Sequence, residues 1–207
     1  MTGIVTIIDY GAGNIGSLVN ALNYLGHNNQ VSSDPSTIMR ADILILPGVG
    51  SFKTAMKFVE KTGIDQSIKE AVLVKRRNIL GICLGMQLFC EYGNEDGGYN
   101  GLGIIKAEVS NFNVINSGIK VPHVGFSEVQ FNSNSLLHNG LKSGSDYYFL
   151  HSFRILSHEL PGNVGKCFYG EEFLASYEYE NIYATQFHPE KSQTNGLTLL
   201  NNFLKAQ

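Results

Sequence analysis

Cys83 is the most chemically suggestive position in this 207-residue sequence. It stands between two glycines in Gly81-Ile82-Cys83-Leu84-Gly85, a G-x-C-x-G pattern. An apolar run precedes it and a helical pattern follows it. This is the cysteine form of a nucleophile elbow, in which a sharp strand-to-helix turn holds the nucleophile on strained backbone. Flanking residues without side chains let such a turn close. A thiol at a helix N-terminus is biased toward thiolate, and the Leu84 N–H would point where an attacked carbonyl gains negative charge. A base is available far downstream in Gln186-Phe187-His188-Pro189-Glu190. Residues two apart on extended backbone share a side, so Glu190 can hold one ring nitrogen of His188 while the other faces the thiol. A His-x-Glu pair by itself is more often a surface ion pair. Combined with Cys83 it supplies nucleophile, base and orienting acid. Cys90 and Cys167 lack glycine flanks and read as buried core residues.

A second pattern competes for the functional role. Gly11-Ala12-Gly13-Asn14-Ile15-Gly16 fits G-x-G-x-x-G between a strand and a helix, and Asp34 follows near the spacing of a ribose-binding acid. That reads as a dinucleotide fingerprint. Asp34, however, lies in a Ser-Ser-Asp-Pro turn, and in a glycine-rich chain the pattern also arises as a plain strand–helix turn.

The elements that must position these residues follow from apolar periodicity. Ile4–Ile8, 28–32, Asp42–Leu46 and Asn78–Ile82 read as strands. Helical patterns occupy Asn14–Leu25, Phe52–Lys61, Ile64–Lys75, Gly85–Tyr92 and Asn195–Lys205. The alternation in the first half predicts a mostly parallel sheet with helices on both faces. In such a sheet the C-terminal strand ends share one crevice, where Cys83 and His188 can meet. The second half carries aromatic-rich strand patterns at Ile104–Phe112, Val121–Phe131, Tyr147–Phe153, Val164–Tyr169, Leu174–Tyr179 and Ile182–Phe187. Turns such as Asn116-Ser-Gly and Asn132-Ser-Asn-Ser separate them. With no linker between the halves, these are expected as antiparallel additions to the same sheet, giving one domain over 1–207.

Composition narrows the class further. Charged residues make up 16% of the chain, against a usual ~25%, and 23 glycines exceed the common share. That excludes a disordered chain and a coiled coil. The net charge of −3, with no basic run beyond Lys75-Arg76-Arg77, lacks the footprint of a nucleic-acid binder. No apolar run is long enough to span a bilayer, and the N-terminus has no secretory pattern. Three cysteines without Cys-x-x-Cys argue against a disulfide framework or a zinc site. A cytoplasmic protein without metal or cofactor is expected.

Six segments together resemble the class I, triad-type glutamine amidotransferases. They are Ile8–Asn14, Leu46–Phe52, Gly81–Gln87, Val121–Gly125, Tyr148–Ser152 and Gln186–Ser192. Among these enzymes the chain is most similar to the glutaminase subunits of imidazole glycerol phosphate synthases. The resemblance implies a flavodoxin-like three-layer α/β/α fold. It implies Cys83 as nucleophile, His188 as base and Glu190 as its partner. It implies an oxyanion hole from Val49, Gly50 and Leu84, and glutamine contacts from Gln87, His151, Ser152 and Phe153. The family carries its glycine turn without a dinucleotide. Glutamine would be hydrolysed to glutamate and ammonia through a thioester. The ammonia would pass to a separate (β/α)₈-barrel cyclase in a heterodimer, with Phe126, Tyr147 and Tyr148 as candidate contacts. Where the family usually reads Pro-His-Met-Gly-Trp-Asn, this chain has Pro122-His-Val-Gly-Phe126-Ser127, and His151-Ser152-Phe153 replaces His-Ser-Tyr. These departures spare the triad but leave two acceptors open: the histidine-pathway intermediate, or a surface-polysaccharide sugar.

Overall fold

The computed structural model describes residues 3–112, 118–156 and 160–206. The expected turn at Asn116-Ser-Gly falls partly outside them. The first half runs β1 (Val5–Ile8), α1 (Ile15–Tyr24), β2 (Asn29–Ser32), α2 (Pro35–Arg40), β3 (Ile43–Leu46), α3 (Phe52–Thr62), α4 (Ile64–Lys69), β4 (Asn78–Ile82) and α5 (Leu84–Leu88). A π-helical turn, Glu70–Val74, extends α4. Then come β5 (Cys90–Gly93), β6 (Tyr99–Asn100), β7 (Ile105–Asn111), β8 (His123–Phe131), β9 (Ser145–His151), β10 (Phe153–Ile155), β11 (Asn163–Tyr169), β12 (Glu171–Tyr179), β13 (Ile182–Thr185) and α6 (Gln193–Lys205).

Nine strands form the main sheet in the order β2-β1-β3-β4-β13-β12-β11-β8-β9. The first five are mutually parallel and the rest antiparallel. Strand periodicity divides the core between the two faces. Leu44, Leu46, Ile79 and Ala184 point to one side, against Phe52, Met56 and Val59 of α3 and Ile64 and Ile68 of α4. Ile43, Ile45, Leu80 and Tyr183 point to the other, against Leu18 and Leu22 of α1 and Leu199, Leu200 and Phe203 of α6. The result is the expected three-layer α/β/α arrangement.

Three expectations need correction. The helix foreseen over Gly85–Tyr92 stops at Leu88, and the chain turns directly into β5, which pairs in parallel with β7. Met86, Phe89 and Cys90 are completely buried in the structure, and their apolar character suits a helix or a strand equally. Second, Ile104–Phe112 does not extend the main sheet. As β7 it joins a separate four-stranded sheet, β10-β7-β5-β6, which covers one face. Third, the run Tyr147–Phe153 breaks at Ser152, sending β9 to the main sheet and β10 to the small one. The His151-Ser152-Phe153 segment therefore straddles the two sheets.

The helix α2 was not foreseen, although Asp34-Pro35 is a start signal. Asp34 accepts from the Ser36 and Thr37 backbone N–H groups and from both hydroxyls, and Pro35 opens the helix. Those bonds hold its carboxyl down at about 2. The acid foreseen for a ribose is thus committed to capping.

Candidate active site

Cys83 has φ 55° and ψ −108° at the start of α5, a conformation that an L-residue holds only when its surroundings impose it. The glycines explain how. A Cβ on Gly85 would lie 1.8 Å from the Leu46 carbonyl oxygen, and one on Gly81 would lie 2.6 Å from the Phe89 ring. The helix start is thereby drawn tight against β3. The Cys83 N–H donates to the Thr185 carbonyl at 2.7 Å, which fixes the elbow to β13.

From β13 the chain runs straight into Gln186, Phe187 and His188. Parallel pairing of β13 with β4 brings His188 beside Cys83 despite their distance in sequence. The His188 Nδ1–H donates to Glu190 Oε1 at 2.9 Å, and both side chains are buried. This bond leaves Nε2, which has no partner of good hydrogen-bond geometry among the described residues, to deal with Cys83. Burial alone would push the His188 pKa down. The Cys83 sulfur and the Glu190 carboxylate more than offset it and hold it up at about 10. The Ser192 hydroxyl anchors the loop by donating to the His188 carbonyl and accepting from the Tyr148 N–H.

A cavity of about 400 Å³ opens over Cys83. Its wall brings together Val49, Gly50, Leu84, Gln87, His151, Ser152 and Phe153 from distant parts of the chain. Gln87 Nε2 donates to the Phe153 carbonyl and to Gln186 Oε1, so only the Gln87 carbonyl oxygen is left for a ligand. The Leu84 N–H is not free here. It donates to the Gly48 carbonyl at 3.3 Å, so that carbonyl must move before Leu84 can stabilise an oxyanion. Gly50, at φ 112°, gives the loop a residue that can rearrange.

Four pocket features escaped the sequence reading. Glu95, Pro122 and Leu150 line the cavity, and Gln186 lies against the nucleophile. Glu95 also accepts from the Phe52 N–H at 2.6 Å, at the start of α3. No sequence pattern marks it, because a turn of the small sheet delivers it. Gln186 sits inside the quoted Gln-Phe-His-Pro-Glu segment and was given no role there.

Of the candidate contact residues, Phe126 is half exposed and packs edge-on against Tyr148, with ring centroids 5.6 Å apart. The Lys191 ammonium lies 5.8 Å from the Tyr148 ring. Tyr147 must be withdrawn as a surface contact. It is completely buried, stacked on Phe187 at 4.1 Å and hydrogen-bonded to His138. Tyr147 and Tyr148 alternate sides of β9, and only one of the two can face outward. Among the described residues no cluster of three His, Cys, Asp or Glu is arranged to hold a metal ion, and no helix is long and apolar enough to cross a membrane.

A strained cysteine at a helix start, with a buried His–Glu pair beside it at the end of parallel strands, is an arrangement suited to nucleophilic acyl transfer. The family model described as glutamine amidotransferase class-I matches residues 6–207, and the chain belongs to that family. Two solved structures share the fold. A crystal structure of a glutamine amidotransferase superposes with a TM-score of 0.74 at 19% identity, covering 98% of both chains. The structure of PurLQS from Thermotoga maritima gives 0.72 at 18% identity, covering 99% of both. Within the class the chain belongs to the HisH group. It is 45% identical over 202 residues to "Imidazole glycerol phosphate synthase subunit HisH 1" of Campylobacter jejuni strain RM1221, covering 98% of this chain and all of that one. It is 43% identical over 198 residues to the HisH subunit of Aquifex aeolicus, covering 95% and 94%.

Proposed function

We propose that the chain, acting as one amidotransferase domain over 1–207, is the glutaminase subunit of an imidazole glycerol phosphate synthase. The observation that carries this is Cys83, held at positive φ at a helix start beside the buried His188–Glu190 pair. The Cys83 thiolate attacks the side-chain amide carbon of glutamine. Charge on the former carbonyl oxygen is met by backbone N–H groups of the Val49–Gly50 loop and Leu84. As the C–N bond breaks, His188 gives its Nε2 proton to departing ammonia. His188 then takes a proton from water, which attacks the γ-glutamyl thioester and releases glutamate. Glu190 holds the ring by Nδ1 throughout. The Gln87 carbonyl oxygen and the Glu95 carboxylate are acceptors suited to the ammonium end of glutamine.

Free ammonia protonates in water, so the product needs a shielded route to its acceptor. The relatives' name as synthase subunits supports a partner subunit, which the family resemblance makes a (β/α)₈-barrel cyclase in a heterodimer, with the half-exposed Phe126 and its neighbour Tyr148 as candidate contacts. The ammonia then enters imidazole glycerol phosphate, for histidine biosynthesis. Three free cysteines fit work in a reducing cytoplasm. The Phe126-Ser127 departure favours keeping a second acceptor, a surface-polysaccharide sugar, in view.

The test is Cys83→Ser, assayed for glutamate release with the cyclase present. Loss of glutamate release is expected, and a glutamine-mimicking electrophile should label Cys83 alone among the cysteines. Retained hydrolysis overturns the reading. Imidazole glycerol phosphate formation in the reconstituted complex decides between the two acceptors.

A further inference from the structure

We propose that Gln186 is a positioning residue for the Cys83 sulfur, oriented through Gln87 by the Phe153 carbonyl, on which a second hydrogen-bond chain from Ser127 of β8 also ends. The inference rests on Cys83 being the nucleophile.

The orientation follows from proton counting. The Phe153 carbonyl can only accept, so the Gln87 atom 3.0 Å from it is the amide nitrogen. The second proton of that nitrogen points to the Gln186 side chain at 2.9 Å, so the Gln186 atom there is oxygen. Gln186 Nε2 therefore faces the Cys83 sulfur, at 3.7 Å. Flipping this amide would set two NH₂ groups against each other in a site where Gln186 is completely buried. On its other side the sulfur lies 3.7 Å from the Leu150 carbonyl oxygen. A thiol can donate to that carbonyl, whereas a thiolate can only accept. The Gln186 N–H is therefore the contact that survives when the sulfur gives up its proton, and it holds the sulfur at the mouth of the elbow.

The chain continues beyond Phe153. His151 Nδ1 lies 2.7 Å from the same carbonyl and must donate to it, which leaves Nε2 as an acceptor. His123 Nδ1–H fills that acceptor at 3.1 Å, and His123 Nε2 accepts from the Ser127 hydroxyl at 2.9 Å. Each proton then has one place. Both rings must be neutral for this, and burial drives His123 to about 4 and His151 to about 3. The other titratable groups interacting with Cys83 are His188 and Tyr10. Phe126, which precedes Ser127, is half exposed, so the chain links an outward-facing strand to the nucleophile.

The experiment follows alkylation of Cys83 by iodoacetamide across pH, with the modified cysteine assigned by mass spectrometry. Wild type, Gln186→Met, Gln186→Glu and Ser127→Ala are compared, with melting curves to establish folding. Removing one hydrogen bond to the charged sulfur is expected to move the Gln186→Met profile up by roughly one pH unit and slow alkylation about 10-fold at neutral pH. Gln186→Glu should move it further, because a carboxylate beside the sulfur opposes the thiolate. In the complex, kcat for glutamine should fall while KM changes less than about twofold, the pattern of an interaction absent from substrate binding. Ser127→Ala should move the profile by less, in the same direction, and Gln186→Glu stands in for Gln186→Met should the latter fail to fold. Folded Gln186 variants whose profiles superpose on wild type overturn the proposal. An unchanged Ser127→Ala profile overturns the chain beyond Phe153. Failure of the underlying reading looks different: wild-type Cys83 would then react no faster than Cys90 and Cys167.

Discussion

Replacing Gly48 by alanine puts a methyl group where the Tyr10 hydroxyl now sits. The added Cβ would lie 1.9 Å from that oxygen and 3.0 Å from the Leu84 Cβ. Tyr10 is buried, and its hydroxyl has no hydrogen-bond partner in the described structure. Burial, with the nearby Cys83 second, keeps it protonated by pushing its pKa up. The ring cannot retreat without disturbing the core around β1, so overpacking is expected to cost about 1–3 kcal/mol. Tyr10→Phe removes the offending atom. Because that hydroxyl serves no partner, its loss should be neutral or stabilising by about 1 kcal/mol. In the double variant the nearest Tyr10-derived atom is the ring carbon, 3.2 Å from the new methyl, which a few tenths of an ångström of movement relieves. The two changes should therefore be coupled by about 1 kcal/mol or more, the double variant being the more stable than the sum. Urea unfolding of the four proteins measures this coupling. Glutamine hydrolysis in the complex supplies a second readout. The Gly48 carbonyl is the present acceptor of the Leu84 N–H, so a displaced loop should change kcat in Gly48→Ala and the second substitution should return it part of the way to the wild-type value. Additivity of the two stability changes to within about 0.5 kcal/mol would refute the packing argument.

Glu190→Gln keeps the shape beside His188 but removes the charge, and kcat for glutamine should fall by roughly 10- to 200-fold, the worth of a hydrogen bond to a charged group. Since Glu190 and Cys83 raise the His188 pKa in the folded state, the stability they lend is full below about pH 6.5 and fades as pH rises toward 10. The wild-type advantage over Glu190→Gln should thus be larger at pH 6 than at pH 10 in urea unfolding, and the reverse order would contradict the assignment. Phe126→Ala should weaken cyclase binding about tenfold or more without altering the melting temperature of the free chain, whereas Tyr147→Ala should destabilise the fold itself. Calorimetric titration and thermal melts separate these outcomes.

The Cys83 elbow was more legible than the second sheet. Cys83 declares itself because only glycine fits on both sides of the elbow, and that constraint is local. The parallel half was readable for the same reason: Ile43–Leu46 and Asn78–Ile82 are short apolar runs that end in turns. The small sheet was not readable. Phe89 and Cys90 are apolar in any conformation, and the pairing of β5 with β7 that makes them a strand is a long-range contact. The break at Ser152 was equally hidden, because the residues on both sides suit a strand and the partners differ. Tyr147 misled by its neighbour, since period-two alternation tells which residues share a face but not which face is covered. Glu95 and Gln186 could not be assigned because their meaning comes from what lies opposite, the start of α3 for one and a sulfur atom for the other.

The place of β13 in the main sheet also governs how the molecule can be made. The ribosome finishes β1 to β4 early, and with them the glycine elbow that carries Cys83. The strand that fills the gap beside β4 starts at Ile182, 100 residues after β4 ends at Ile82, and His188 follows it. Until then β4 is an open edge, with main-chain groups unpaired and side chains that the finished protein buries. A nascent or prematurely terminated chain therefore lacks His188 and presents an edge open to other strands. Its hazard to the cell is aggregation, and the burden falls on chaperones during the interval before β13 arrives.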